Sequence, residues 1–312
     1  MSLRAIIAAL FLCAACGQAV AADVIGYSEA FDTLYRVNLA TQTATEIGRA
    51  TPPGIPRLAL VEGLTFDPTG KLYAVSDAGA VKTLLSINEG TGLATVIGVL
   101  DLGTSDKLDL GMAFTCDGRL WLSAVSGQLW QVNPATAQIT LIGTMSSDGK
   151  GVSITGLAAR GNQLYGAGSQ GDNHFYLIDT GTAKASLVGA YASSAYITAA
   201  SPGFDTNGQL WVLLDYVPPA PGESSTALWS DLGQIAPNSG QLTNLGPVTA
   251  QGESVANLAH IGLRGLAIPS SVCAIQADVA PTPTLSRQAL AILSLLFALL
   301  AGTVLRKCRP TH

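Results

Sequence analysis

The chain has 312 residues, of which 48% are hydrophobic and 12% charged, and its net charge is −5. That length and apolar content bury a sizeable core and exclude a disordered chain, while 34 glycines suit a turn-rich β protein. The 16 Lys and Arg are spread along the whole sequence, which excludes the clustered basic footprint that nucleic acid needs.

In chain order, Arg4 precedes an apolar run over residues 5–15, and Ala19, Val20, Ala21 and Ala22 offer a small-residue cleavage site before Asp23. Residues 1–22 therefore read as a secretory signal peptide. Acylation at Cys16 is the minor alternative, because Cys13 stands where a lipoprotein signal wants an aliphatic residue.

A fifteen-residue phrase follows five times, over 34–48, 84–98, 129–143, 175–189 and 232–246, with LLSINEGTGLATVIG the clearest copy. Apolar residues on alternate positions, a turn of Thr, Gly, Asn or Ala, and a β-branched run ending in Gly predict a hairpin. A second phrase precedes the later hairpins. It reads GLTFDPTGKLY over 63–73 and GMAFTCDGRLW over 111–121, and it recurs over 156–165 and as GFDTNGQLW over 203–211. Its Asp-Pro-Thr-Gly, Cys-Asp-Gly and Thr-Asn-Gly segments are tight-turn chemistry between two strands.

Each unit thus supplies four antiparallel strands, and the hairpin copies start 50, 45, 46 and 57 residues apart. That is the period of a β-propeller blade, and five copies predict five blades. The 57-residue interval leaves six or seven open. The first hairpin lacks an inner strand of its own, whereas residues 262–268 form such a strand with no hairpin after it. Pairing them in one mixed blade closes the ring and leaves no open sheet edge there, which a β-sandwich would not explain.

In such a blade the first-to-second and third-to-fourth turns share one face, and these are short throughout. The opposite face collects the longer connections: 49–61, 99–109, 144–153, 167–174, 215–228 and 247–261. Variable loops on a repeating scaffold are where binding resides. The ligand-binding candidates there are Glu62, Asp109, Asp172, Asp215, Tyr216, Trp229, His260 and Arg264. Glu62 and Arg264 each precede the Gly-Leu of an inner strand, so they are expected to meet at the mouth of the central channel. With Asp101, Asp106, Asp148, Glu223 and Glu253, this rim is acidic enough to admit calcium, but no Asp-x-Asp-x-Asp-Gly loop is present and no cofactor is expected. Tyr73, Trp121, Tyr165 and Trp211 recur with the blade and are assigned to inter-blade packing. Cys116 and Cys273 either pair in an oxidising compartment or remain free thiols. No G-x-S-x-G, Walker loop or H-E-x-x-H occurs, and His stands only at 174, 260 and 312, so no residue is assigned as catalytic.

Residues 289–305 are apolar and uncharged, and Arg306, Lys307 and Arg309 follow them. Read physically, residues 273–286 are a linker, 287–305 a transmembrane helix and 306–312 a basic cytoplasmic tail, with the propeller (23–272) outside the cytoplasm. Pro281, Thr282, Pro283, Thr284, Leu285 and Ser286 before an apolar helix and basic tail resemble the bacterial IPTL-CTERM sorting signal. Thr282 and the pair Arg287 and Gln288 depart from its usual pattern. The resemblance implies a Gram-negative envelope protein, handled by a sorting enzyme that keeps or removes the tail. Residues 24–270 resemble secreted bacterial β-propellers whose blades read GLAFDP-G-LY and then L-x-x-I-D-x-x-T-G, a group that includes binders and enzymes alike. The expected function is non-catalytic binding of a polysaccharide or envelope protein through the loop-rich face. The alternative is a secreted hydrolase or lyase using carboxylates at the channel mouth.

Overall fold

The computed structural model describes residues 24–52, 61–78, 81–103, 109–191, 196–216, 229–252 and 260–269, together with Cys273. The expected signal peptide, PTLS motif and apolar segment 287–305 lie outside the described residues.

Every regular element among the described residues is a β-strand. The first blade contains β1 (Ile25–Ala30), β2 (Thr33–Asn38) and β3 (Thr43–Arg49). The second is β4 (Val61–Phe66), β5 (Leu72–Ala78), β6 (Val81–Ile87) and β7 (Ala94–Val99); the third is β8 (Leu110–Phe114), β9 (Leu120–Ala124), β10 (Gln128–Val132) and β11 (Ile139–Thr144). A small hairpin, β12 (Ser146–Ser147) and β13 (Lys150–Gly151), leads to the fourth blade: β14 (Ile154–Arg160), β15 (Gln163–Gly168), β16 (His174–Ile178) and β17 (Ala185–Ala190). The fifth is β18 (Ile197–Phe204), β19 (Leu210–Tyr216), β20 (Trp229–Ile235) and β21 (Leu242–Pro247), before β22 (Thr249–Gln251) and β23 (Arg264–Ala267). Each blade is an antiparallel meander running outward from its inner strand, and together they make the expected five-bladed propeller.

The ring closes as the sequence predicts, and then again at the rim. β23 pairs antiparallel with β1, Tyr27 opposite Ala267 and Glu29 opposite Arg264, and becomes the inner strand of the first blade. In addition, β22 runs parallel along the outer edge of β3, with Ala250 beside Ala44, so strands from the C-terminal part flank the first blade on either side. Three residues carry no readable strand signal, which is why β22 and the β12–β13 hairpin were expected as plain loop.

The recurring glycines explain why five blades fit so tightly. A Cβ on Gly63 would stand 2.9 Å from Met112 Cβ, and one on Gly111 would stand 2.8 Å from Gly156 Cα. A Cβ on Gly156 would overlap the carbonyl of Ala200, and one on Gly265 would stand 2.8 Å from Leu64 Cβ. Each inner strand thus leans on the next around the axis through an absent side chain. In the fifth blade this place belongs to Ser201, because Phe204 pairs with Leu210 as Phe66 pairs with Leu72. Gly203, which opens the phrase in this blade, lies two residues further along the strand.

The Gly that ends each of the first four hairpin phrases does the same at the periphery. A Cβ on Gly48 would meet the carbonyl of Thr91, one on Gly98 would touch Ala137 and Thr136, and one on Gly189 would overlap the carbonyl of Ser239. Those partners are the hairpin turn of the following blade, a turn held open by Asn88 Oδ1 accepting from Gly90 and Thr91 N–H at 3.0 Å. One phrase therefore contains the two complementary halves of an inter-blade contact. The second-strand aromatics pack as expected: Tyr73 lies 5.1 Å from Phe114, and Tyr165 lies 5.4 Å from Phe204.

At the short-turn end, a cavity of about 60 Å³ lies between Phe66, Phe114, Phe204 and Ile268 and is bounded by Cys273. Midway along the axis only about 10 Å³ remains, lined by Glu62, Thr155 and Ser201. Cys116 and Cys273 form a disulfide, which ties the chain after β23 to the β8–β9 turn and resolves the open choice between a bridge and free thiols.

Candidate functional site

The inner strands all begin on the loop-rich face, and β-bulges near their starts aim side chains at the channel mouth. In β4, Val61 faces Ser76 and Gly63 faces Val75, which leaves Glu62 as the extra residue. Thr155 in β14 and Thr198 in β18 are extra in the same way. Arg264 opens β23 just before its own irregularity. The third blade has no such shift, since Leu110 pairs with Ala124 and Gly111 with Ser123 in unbroken register. Asp109, immediately before β8, is that blade's contribution instead.

These residues build a polar plug. Arg264 Nη1 stands 3.5 Å from Asp109 Oδ1, and Gln170 Nε2 donates to Asp109 Oδ2 at 2.6 Å and to the Thr198 carbonyl at 3.4 Å. The first, third, fourth and fifth blades are thereby joined across the axis. Asp109 and Gln170 have φ of 52° and 55°, left-handed values that strain residues with a Cβ, so the backbone is held unfavourably where these two side chains meet. The Arg264 side chain is 20% exposed, and among the described residues its guanidinium makes no hydrogen bond and only the single long ion pair.

Two buried carboxyls flank it. Glu29, 2% exposed, accepts from Asp32 N–H at 2.6 Å and from Val61 N–H at 3.4 Å, clasping the second blade to the first. Asp215, also 2% exposed, accepts from the Ser230 hydroxyl, which in turn accepts from Leu263 N–H at 2.8 Å. Burial raises Glu29 to about 7 against the bonds from Asp32 and Val61 and the opposing charge of Arg264. Burial likewise raises Asp215 to about 7, against the Ser230 bond and Arg264.

Glu62 does not meet Arg264 in the way expected from their matching positions. It bonds Lys82 Nζ at 2.6 Å inside the second blade, where both side chains are buried, while Arg264 turns to Asp109. Position alone could not show this, because the lysine that takes Glu62 lies 20 residues downstream on β6.

At the rim of the fifth blade, Trp229 and His260 stack with ring centroids 3.7 Å apart and planes 4° apart, and Tyr216 meets Trp229 edge-on at 6.4 Å. All three are half-buried. Tyr216 O–H donates to Asp231 at 2.8 Å, which with burial holds its pKa well above the ordinary tyrosine value. Asp172 lies apart, on the fourth blade. Its Oδ1 takes His174 Nδ1 at 2.7 Å and Tyr176 O–H at 2.8 Å, and its Oδ2 takes Ser153 N–H at 3.1 Å.

The structure thus brings Asp109, Asp215 and Arg264 together, sets Tyr216, Trp229 and His260 beside them, and leaves Glu62 and Asp172 in separate pairings. Glu29, Gln170, Ser230 and Lys82 are the members that sequence reasoning missed. Asp106, Glu223 and Glu253 lie outside the described residues. Among the described residues no three His, Cys, Asp or Glu side chains gather into a metal-holding group.

No protein-family model and no curated protein matches the chain. Among solved structures it is similar to TolB from Acinetobacter baumannii, at 16% identity and a TM-score of 0.43, over 80% of this chain and 55% of that one. It therefore spans just over half of that protein's length. It is also similar to a putative TolB from Agrobacterium tumefaciens (11% identity, TM-score 0.45, 80% of this chain and 82% of that one). A nidogen/laminin complex gives 12% identity and a TM-score of 0.44, over 80% of this chain and 99% of that one. None of these likenesses bears on what this chain binds.

Proposed function

We propose that this chain is an exported binding propeller that captures a partner over its loop-rich face, with Arg264 as the polar anchor. One observation carries the reading: Arg264 is a four-fifths buried guanidinium at the centre of that face, and its fork of N–H donors makes no hydrogen bond among the described residues. Five donors in a fixed fork are costly to desolvate without acceptors, so a site of this kind is completed by a ligand. The disulfide supports export, since such bonds persist in oxidising compartments. A membrane-anchored place in a Gram-negative envelope, with a sorting enzyme as tail partner, follows from the C-terminal resemblance and belongs to the same proposal.

A hydrolase or lyase would need two carboxyls that substrate can reach. Glu29 and Asp215 are 2% exposed and held by donors of their own chain, so non-catalytic binding is the better-supported reading.

The test is retention of envelope extract, both glycans and proteins, on the immobilised full chain, on Arg264→Gln, and on Lys71→Ala at the short-turn face. Loss of the retained material with Arg264→Gln alone, at unchanged thermal stability, is expected. Equal retention by the wild type and Arg264→Gln would sink the reading.

A further inference from the structure

We infer that the loop-rich face receives a projecting segment of a different protein, whose apolar side chains cover Phe31 and Tyr196 while one of its oxygens reaches the Arg264 fork. This rests on the binding role proposed above and adds the class of the partner and the surface it covers.

Phe31 and Tyr196 are 68% and 64% exposed, the highest values of any large apolar side chain among the described residues. Both stand on the loop-rich face close to Arg264. Phe31 is in the β1–β2 turn, two residues past Glu29, and Glu29 lies opposite Arg264 in the β1–β23 pairing. Its Cα is therefore about 9 Å from that of Arg264. Tyr196 immediately precedes β18, four residues before Ala200, which holds in β18 the place that Arg264 holds in β23. These two strands pack side by side, since a Cβ on Gly203 would stand 3.4 Å from the Leu266 carbonyl. Tyr196 is then about 15 Å from Arg264. A standard interface takes about 800 Å² from each partner, a disc of about 16 Å radius, so one partner centred on Arg264 covers both rings.

The turn holds the Phe31 ring outward. Phe31 and Asp32 have φ of 53° and 62°, left-handed values that two-residue hairpins usually give to Asn and Gly, and a bulky residue there is strained. Glu29 Oε1 accepts from Asp32 N–H at 2.6 Å and fixes the turn from inside. A ring positioned in advance loses little freedom on binding.

The chemistry of the surface selects a protein. Two-thirds of two aromatic side chains is roughly 250 Å², about a third of one side of a standard interface. Aromatic residues and arginine are also what protein interfaces concentrate. The charges around the rings, Asp32, Arg49, Asp109 and Arg264, are balanced in sign, which suits the mixed rim of a protein and lacks the basic collar that seats aromatic residues on anionic lipid. A peptide segment supplies both parts at once, apolar side chains for the rings and carbonyl or carboxylate oxygens for the guanidinium. Phe31 has no polar group with which to hold the hydroxyls of a sugar.

The experiment uses the full-length chain in a polyoxyethylene detergent, with p-benzoylphenylalanine in place of Phe31 or of Tyr196. It is irradiated in turn with solubilised envelope proteins, with phosphatidylglycerol mixed micelles, and with neutral and acidic oligosaccharides. Both positions are expected to cross-link the same protein, and Arg264→Gln should remove both products. That protein, purified, is then titrated by calorimetry: Phe31→Asn and Tyr196→Ser should each weaken it about tenfold or more. The Phe31→Asn melting temperature should hold or rise, because Asn suits the left-handed turn. Cross-links only to a second copy of the chain, to phospholipid or to an oligosaccharide overturn the partner class and leave the binding role standing. So do the absence of any cross-link and an Arg264-dependent partner that neither aromatic variant weakens. Cross-linking and binding indifferent to Arg264→Gln overturn the binding role as well.

Discussion

The two buried carboxyls beside Arg264 make stability fall as pH rises, opposite to the usual behaviour of acidic side chains. Glu29 is raised from 4.5 to about 7 and Asp215 from 3.8 to about 7, with burial the leading cause in each. Between the unfolded and folded values the native chain keeps protons that the unfolded chain has lost. The stabilisation is therefore complete below about pH 4 and disappears as pH passes through about 7. At about 1.4 kcal/mol per unit, Glu29 accounts for about 3 kcal/mol and Asp215 for about 4 kcal/mol. They share Arg264, so their sum is an upper bound. Even one of them lowers the melting temperature of a domain this size by roughly 10 °C between pH 4.5 and 8. Circular dichroism melts at constant ionic strength measure this. Glu29→Gln keeps an oxygen for the Asp32 and Val61 amides, and Asp215→Asn keeps one for the Ser230 hydroxyl, so each variant should flatten the slope instead of abolishing folding. A wild-type melting temperature that is level or rises from pH 5 to 8, or amide variants with the wild-type slope, would refute the reasoning.

Three further outcomes follow from the packing. Gly156→Ala forces a methyl group into the Ala200 carbonyl and the Pro202 ring and should cost about 3 kcal/mol in urea denaturation, whereas Gly151→Ala, with open space around it, should be close to neutral. Cys116→Ser removes a bridge between residues 157 apart and should lower stability by up to about 5 kcal/mol, with reductant reproducing the loss in the wild type and leaving the variant unchanged. Ser230→Ala strips a partner from Asp215 and from Leu263 N–H and should cost about 2 kcal/mol; an unchanged melt would show that these bonds do not hold β23 in place.

What could be read from the sequence divides along the same line as what repeats. The hairpin phrase recurs five times, and in the first four copies its closing Gly meets the next blade and an Asx residue (Asn38, Asn88, Asn133, Asp179) caps its turn, because those blades meet their neighbours in the same way, so the local copies were enough to predict the ring. Closure by residues 262–268 was legible for a related reason, as an inner strand without a hairpin has one partner left to find. In the fifth blade the axial position belongs to Ser201, three residues before Phe204 as Gly63 is three before Phe66, a place the Gly-based phrase does not mark.

The site was less legible because it is built where the blades differ. The residue just before the axial Gly or Ser is Glu62, Leu110, Thr155, Ala200 and Arg264 in successive inner strands, so a motif averaged over blades erases it. Its members then reach partners across the ring: Asp109 with Arg264, Gln170 with Asp109, and Glu29 with Val61. Even the presence of Asp109 depends on something missing, since the third blade omits the bulge that the second, fourth and fifth possess and its preceding residue takes the vacant place at the mouth. Inserting one residue between Leu110 and Gly111 should restore the bulge and withdraw Asp109. Arg264 would then lose its only ion pair among the described residues while the scaffold, which tolerates that bulge in the other blades, remains folded.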